Sequence, residues 1–381
     1  MVRLMKNPIF VLACISIIFF MGTGLGFAAE SVNIALILSK TGIAAKDNEP
    51  AITGATIALE EINSTLMKPL GKYIKLTVLD NNSTFIGSKI AAEKAVAMHV
   101  TGVIGPLWSS QALSTAKVLQ QARIPMITPT ATKPDITKVG SFIFRACSID
   151  SFQGKVMAHF AAKDLKAQTA VVLINMNEEY SMDLADYFTR NFKEAGGMVL
   201  YTGSYPGNAV EFSSLVSQIK TFTPDVVFIP GYTRDSGFII KQAKSLGLKS
   251  TFLGGDGWDD SMYEYAGDCI EGGYYTTLWH PDAPFPQSRH VQELYQKKFG
   301  RTNHDMRVPL TYDALMLMAN AIKTARSTDP VKVRDALAAT KGFDGASGTI
   351  SFGEAGDPMN KEIVILTFKD KTSAFVKSVG P

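Results

Sequence analysis

Histidine and cysteine are scarce: the 381 residues hold five His and three Cys. His99, His159, His280, His290 and His304 each stand alone, with no nearby residue that would make a base or a metal ligand of them. There is no CxxC pair and no Cys/His cluster, which argues against a structural zinc site. Nor does the chain carry a GxGxxG turn after a strand, a GxxxxGK[ST] phosphate loop, a GxSxG elbow or an HExxH helix. Gly22, Gly24 and Gly26 lie in the first apolar segment instead. The expectation is a non-enzymatic chain that needs no cofactor and no metal, although catalytic groups from distant loops can assemble in space. Neither sign of charge dominates: the formal net charge is +3, with Lys and Arg scattered. A near-neutral surface without a basic patch argues against nucleic acid as partner.

Long apolar runs are also missing, except at the start. Arg3 and Lys6 form a basic head, Ile9 to Phe20 is almost wholly apolar, and Gly26-Phe27-Ala28 offers small residues before a cut after Ala28. This is the layout of a cleavable secretory signal over residues 1–28. A membrane anchor would need about 20 apolar residues. Val11-Leu12-Ala13-Cys14 resembles a lipobox, but the apolar core continues past Cys14, where a lipobox should end it. Export puts the mature chain in the periplasm. An oxidising compartment permits a bridge between Cys147 and Cys269. Two small buried thiols are the commoner outcome. Without Arg3 and Lys6 the net charge is about +1, and the remaining length suits two domains.

What is present is alternation. Apolar runs at Val32–Leu38, Ile74–Leu79, Val100–Ile104 and Ile124–Thr128 read as strands. Between them Ile52, Ala55, Leu59 and Ile62 share one helix face, and Ile90–Met98 and Gln111–Ala122 read as helices. A second series follows. Its strands are Ala170–Ile174, Val199–Tyr201, Val226–Ile229 and Thr251–Leu253. Its helices are Lys155–Leu165, a face marked by Met182, Ala185, Phe188 and Phe192, Phe212–Lys220 and Phe238–Leu246. Strands separated by helices of this length imply βαβ units and parallel sheets, so the fold class is α/β with two doubly wound lobes. After Pro281, Pro284 and Pro286 the pattern changes to helices at Val291–Phe299, Tyr312–Ala325 and Pro330–Ala339, then strands at Thr349–Phe352 and Ile363–Phe368. A tail that returns to both lobes explains them. The expected lobes are 29–148 with 279–355, and 149–278 with 356–381. Doubly wound sheets bind ligands beyond the carboxyl ends of their strands, which with two lobes is the cleft between them.

Three loops at strand ends hold the candidate site. In Gly105-Pro106-Leu107-Trp108-Ser109-Ser110 the glycine and proline stop a strand, and Ser109 or Ser110 can cap the next helix. Free N–H groups and hydroxyls at a helix start bind a carboxylate; plain capping is the bland alternative. Thr128-Pro129-Thr130-Ala131-Thr132-Lys133-Pro134 is a rigid, hydroxyl-rich turn, or simply a solvated one. Gly254-Gly255-Asp256-Gly257-Trp258 lets the backbone approach a ligand closely, and Asp256 can meet a cation or merely close its own turn. Tyr180, Tyr232 and Trp258 lie near the same strand ends, where one aromatic is more often packing than recognition.

In order and spacing these segments resemble the Leu/Ile/Val-binding protein family. The similarity continues through Pro230-Gly231-Tyr232, Gln242-Ala243-Lys244-Ser245-Leu246-Gly247-Leu248 and Phe252-Leu253-Gly254-Gly255-Asp256-Gly257. The resemblance implies a type I periplasmic binding fold with a three-stranded hinge, serving as the receptor of an ABC transporter permease and acting as a monomer. It implies that Ser109, with Thr132 and the Thr130 and Ala131 backbone, holds a ligand carboxylate, with Trp108 and Ser110 beside them. Asp256 takes the ammonium, and Tyr180 closes over the ligand from the second lobe, with Tyr232 among the site residues. Two positions depart from the leucine-type pattern. Asp47, in Thr41-Gly42-Ile43-Ala44-Ala45-Lys46-Asp47-Asn48, stands where that pattern has a Trp, and Thr233 where it has a Tyr. A buried, unpaired Asp is costly, so Asp47 either faces solvent, the commoner fate of an acid, or meets a polar or cationic ligand group. The expected ligand is an amino acid or close analogue, and leucine itself is disfavoured. The rivals are an amide, urea-like solute or aromatic carboxylate on the same fold, or a ligand sensor, which would be followed by a membrane span or output domain.

Overall fold

A computed structural model describes residues 29–381, so the signal sequence read at residues 1–28 lies outside the described residues. The first strands and α-helices are β1 (Glu30–Leu38), α1 (Ala45–Glu61), β2 (Lys72–Asp80), α2 (Phe85–Ala97), β3 (Gly102–Ile104), α3 (Ser109–Ala122), β4 (Met126–Thr128), α4 (Asp135–Lys138) and β5 (Ile143–Arg145). Their strands form a parallel sheet in the order β2-β1-β3-β4-β5. Helices cover both faces, so the central strands are apolar at successive positions rather than alternately: Ile34 through Leu38 are all buried.

The second lobe repeats the theme with α5 (Asp150–His159), β6 (Thr169–Asn175), α6 (Glu179–Glu194), β7 (Met198–Tyr205), α7 (Ser213–Lys220), β8 (Val226–Phe228), α8 (Thr233–Ser245), β9 (Thr251–Gly254), α9 (Met262–Ala266) and β10 (Tyr274–Thr277). The chain then supplies α10 (Ser288–Phe299), α11 (Arg307–Ala325), α12 (Pro330–Ala338), a hairpin of β11 (Phe343–Gly345) and β12 (Gly348–Ile350), and finally β13 (Ile363–Lys369) and β14 (Thr372–Val379). The second sheet runs β14-β13-β10-β9-β8-β6-β7. Its β13–β14 edge is antiparallel, a departure from the all-parallel sheet expected. β13 enters from the other lobe rather than through a helical crossover of its own, and an antiparallel edge needs no crossover.

The chain passes between the lobes three times: after β5, after β10, and between β12 and β13. α11 belongs to the first lobe, packed on α1, β3 and β4. The two helices approach so closely at Gly54 that a Cβ there would stand 2.2 Å from the Val308 carbonyl oxygen. Local chemistry sets several helix starts. Thr84 Oγ1 accepts the Gly87 N–H at 2.8 Å before α2. Asp329 does the same for Val331 and Lys332, with Pro330 at the first turn of α12.

Some elements differ from the sequence reading. β5, β10 and β14 were not legible, and α8 starts five residues before Phe238 because Thr233, Asp235 and Ser236 are buried despite being polar. Ser109 and Ser110 do not cap α3: Trp108 holds the N-cap position, and the serines lie in the first turn with their hydroxyls turned elsewhere. Cys147 and Cys269 are free thiols, and burial pushes Cys147 up to about 12. Among the described residues no helix is long and apolar enough to cross a membrane.

Candidate functional site

Three segments from each lobe meet in the cleft. β3 ends at Ile104, and its loop delivers Leu107, Trp108 and Ser109 to the start of α3. Gly105 makes this possible: its φ is +87°, and a side chain there would collide with the Ile37 carbonyl. β4 delivers the threonine turn beside it. The two are tied together, since Thr128 Oγ1 donates to the Pro106 carbonyl at 2.6 Å and Thr130 Oγ1 to that of Leu107 at 3.1 Å. Ser109 Oγ accepts the Lys133 N–H at 3.3 Å. Because Ala112 N–H is the first to bond within α3, to Trp108, the earlier N–H groups of the helix have no partner in it. Hydroxyls of Ser109 and Thr132 and this helix start therefore make one donor-rich wall, with Thr130 beside them.

Asp256 stands on the opposite wall, 6% exposed. Its Oδ1 accepts from Gln153 Nε2 at 2.9 Å, and its own N–H donates to Gln153 Oε1 at 2.8 Å. Thr276 Oγ1 donates to the same Oε1 at 2.6 Å, which fixes the amide orientation. Gln153 Nε2 also reaches Asp150 Oδ1 at 3.2 Å. Two buried carboxyls thus share one amide, and no cationic side chain among the described residues is hydrogen-bonded to either. Burial raises Asp256 to about 6, partly offset by its hydrogen bonds to Gln153 and Tyr180. Burial and the neighbouring Asp256 also push Asp150 well above the usual carboxylate range. Tyr180 OH accepts the Gly257 N–H at 3.1 Å and seats the glycine loop against α6.

Between the walls lies a cavity of about 30 Å³, lined by Trp108, Ser109, Thr132, Tyr180, Asp256 and Arg307 among others. That is room for about two water molecules, less than any amino acid fills, so a ligand is admitted only as the lobes part. Two larger chambers flank it: one of about 320 Å³ reached past Trp108 and Tyr232, and one of about 430 Å³ reached past Arg307. Arg307 is 6% exposed and donates to Asp259 and Asp305 carboxylates, both at 2.8 Å. Since Asp259 follows β9 and Arg307 opens α11, this ion pair crosses the cleft. So do Lys133 with Asp183 (2.6 Å) and Glu179 (3.1 Å), and Ser110 Oγ with Glu178 (3.1 Å).

Of the residues singled out in the sequence, Trp108, Ser109, Thr130, Thr132, Tyr180, Tyr232 and Asp256 line the small cavity together. Asp47 and Thr233 do not; they line the 320 Å³ chamber. Asp47 is half-buried between the two larger chambers rather than out in solvent, because α1 carries it onto the Arg307 cluster. Burial, then Asp259 and Asp305, raises it to about 6 against the pull of Arg307. Ser110 turns to Glu178, and Ala131 N–H and C=O are engaged by Thr128 and Arg145. Trp258 is in the core against Phe368, where the tight turn after β9 directs it. Arg307, Met306, Gln153 and Asp150 were not found in the sequence. Arg307 follows the proline-rich change of pattern with no motif, and only the Asp150-x-x-Gln153 pair at a helix start offered a local signal.

Comparisons with known proteins agree with this geometry. A family model described as periplasmic binding protein matches residues 31–373. The leucine-, isoleucine-, valine-, threonine-, and alanine-binding protein of Pseudomonas aeruginosa is 29% identical over 92% of this chain and 93% of its own. A Leu/Ile/Val-binding protein of Rhizobium johnstonii is 30% identical over 87% of this chain and 89% of its own. Among solved structures, a leucine binding protein of Thermotoga maritima superposes with a TM-score of 0.87 at 34% identity, covering 92% of this chain and 99% of that one. A Rhodopseudomonas palustris solute binding protein in complex with benzoate shares the fold at 19% identity, with a TM-score of 0.81 over 92% of this chain and 97% of that one.

Proposed function

The chain belongs to the periplasmic binding protein family, a family of substrate-binding proteins and not of enzymes, and from that premise we propose that it captures a free α-amino acid between its lobes. Ser109, Thr132 and the start of α3 take the carboxylate; Asp256, oriented by Gln153, takes the ammonium. The ligand bridges the walls, so its binding favours the closed form over the open one. That closed form, in the periplasm after removal of residues 1–28, is what the permease of an ABC transporter reads. The lobe boundaries at 148/149, 278/279 and 355/356 are the hinge positions of this mechanism.

One observation carries the reading: a carboxylate 6% exposed, without a bonded cation, faces a hydroxyl-rich helix start across a cavity. A buried charge without a partner is costly, and a ligand ammonium supplies the missing one. Charge-assisted hydrogen bonds at both ends of a zwitterion, in a cleft poor in water, suit micromolar affinity, which needs about −8 kcal/mol. The names of the Pseudomonas and Rhizobium relatives support an amino acid as the ligand class.

Calorimetry tests it. An α-amino acid should bind the wild-type chain, and its deaminated carboxylate should bind at least a hundredfold more weakly. Asp256→Asn should lose the amino acid. Equal affinity for the deaminated analogue would instead assign the cleft to a carboxylate that needs no ammonium, an aromatic acid included.

A further inference from the structure

We propose that Trp108 and Tyr232 form a clamp across the cleft that restricts the ligand to an α-amino acid with a small side chain, of the size of glycine, alanine or serine. This rests on the amino-acid reading above and adds the side chain to it.

The two rings come from different lobes and stack with centroids 3.8 Å apart at 9°. At that spacing nothing fits between them. Both residues occupy helix N-cap positions, Trp108 before α3 and Tyr232 before α8, and neither caps its helix. Ser, Thr, Asp or Asn at such positions would stabilise the helix. The rings meet over the cavity instead. Tyr180 continues the stack behind Tyr232, centroids 5.5 Å apart.

The consequence is a partition. Trp108 and Tyr232 line both the head-group cavity of about 30 Å³ and the outer chamber of about 320 Å³, so their stack is the wall between them. On the other flank Arg307 lines both the small cavity and the 430 Å³ chamber, held in place by Asp259 and Asp305. A branched side chain extending from the head group would have to part the stack or displace Arg307. Beyond the stack it would meet the carboxyl groups of Asp47, Glu178 and Asp235 interspersed with the apolar surface of Ile43 and Tyr265, so burying an aliphatic group there also takes water from charged groups. Small side chains avoid both costs.

Removing either ring should join the two chambers. The experiment is calorimetry of the mature chain with glycine, alanine and leucine, for wild type, Trp108→Ala and Tyr232→Ala, each checked for a cooperative melt. Wild type should prefer alanine or glycine to leucine by tenfold or more. In either variant the ratio should move toward leucine by at least tenfold. The proposal is overturned if wild type binds leucine as well as alanine, or if every folded variant keeps the wild-type ratio; the wild-type arm decides even if both variants fail to fold. Binding without size preference sinks the clamp alone. If no α-amino acid of any size binds wild type, the amino-acid reading falls and the clamp with it.

Discussion

Asp256 shows how one side chain can work against stability in favour of binding. Its pKa is about 6 in the folded chain against an ordinary 3.8, so the folded protein holds a proton there that the unfolded chain has lost. The sign follows: this group lowers stability as pH rises from about 4 to about 6, and the loss is complete above that. Asp47, raised to about 6, and Glu178, raised to about 7 by burial, act in the same direction. Ligand binding runs the other way, because an ammonium needs the carboxylate. Amino-acid affinity should fall about tenfold per pH unit below about 6, while the ligand-free melting temperature at pH 5.5 exceeds that at pH 7.5 through these groups. Titration calorimetry and melting curves across that range check both signs. Asp256→Asn, which keeps an acceptor for Gln153, should raise the ligand-free stability at pH 7.5 by on the order of 1–2 kcal/mol while abolishing binding. A melting temperature that falls in this variant would contradict the desolvation argument.

At the scale of elements, loops after parallel strands are placed by the sheet and then locked by a few long-range contacts. α11 brings Arg307 to the loop after β9, where Asp259 and Asp305 neutralise it. Arg307→Met leaves those acids facing each other, each about a quarter exposed. Destabilisation of about 2–4 kcal/mol is expected, below the full cost of a broken buried pair because of that exposure. Urea denaturation reads it, and a change under 1 kcal/mol would make the triad an incidental surface cluster. Most elements were legible in the sequence because period 2, period 3.6 and turn residues are local properties. β5 and β10 are three and four residues long and carry no period, and β14 is partly exposed along one edge, so none announced itself. Ser109 was found because hydroxyls after a strand are a local signal; its role as a helix cap was not correct, since the loop from Gly105 places Trp108 there instead.

For the whole molecule, closure is a matter of contacts that span two lobes joined by three chain crossings. Lys133 makes a cross-lobe link outside the cavity: its side chain is 8% exposed and faces Glu179 and Asp183. Burial pulls its ammonium down, yet those acids outweigh that and hold it above its ordinary value. Lys133→Met should therefore shift the ligand-free population toward the open form without touching the head-group cavity, which Lys133 does not line. Small-angle scattering should show a larger radius of gyration for the ligand-free variant than for the ligand-free wild type, and the same compact value for both with saturating amino acid. Identical ligand-free profiles would mean that Lys133 does not bias the hinge.

Sequence by itself determined the α/β class, the two series of strands and helices, the family, and the hydroxyl-rich and acidic loops that face each other. Each of these is written in neighbouring residues, whose spacing and chemistry are fixed before the chain folds. Tertiary structure alone decided the pairing of Asp256 with Gln153 across 103 positions, the arrival of Arg307 from the returning segment, the half-burial of Asp47, and the stack of Trp108 on Tyr232. These contacts join residues far apart in the chain. Only the register of the sheets and the angle between the lobes bring them together, and no local period or motif encodes either.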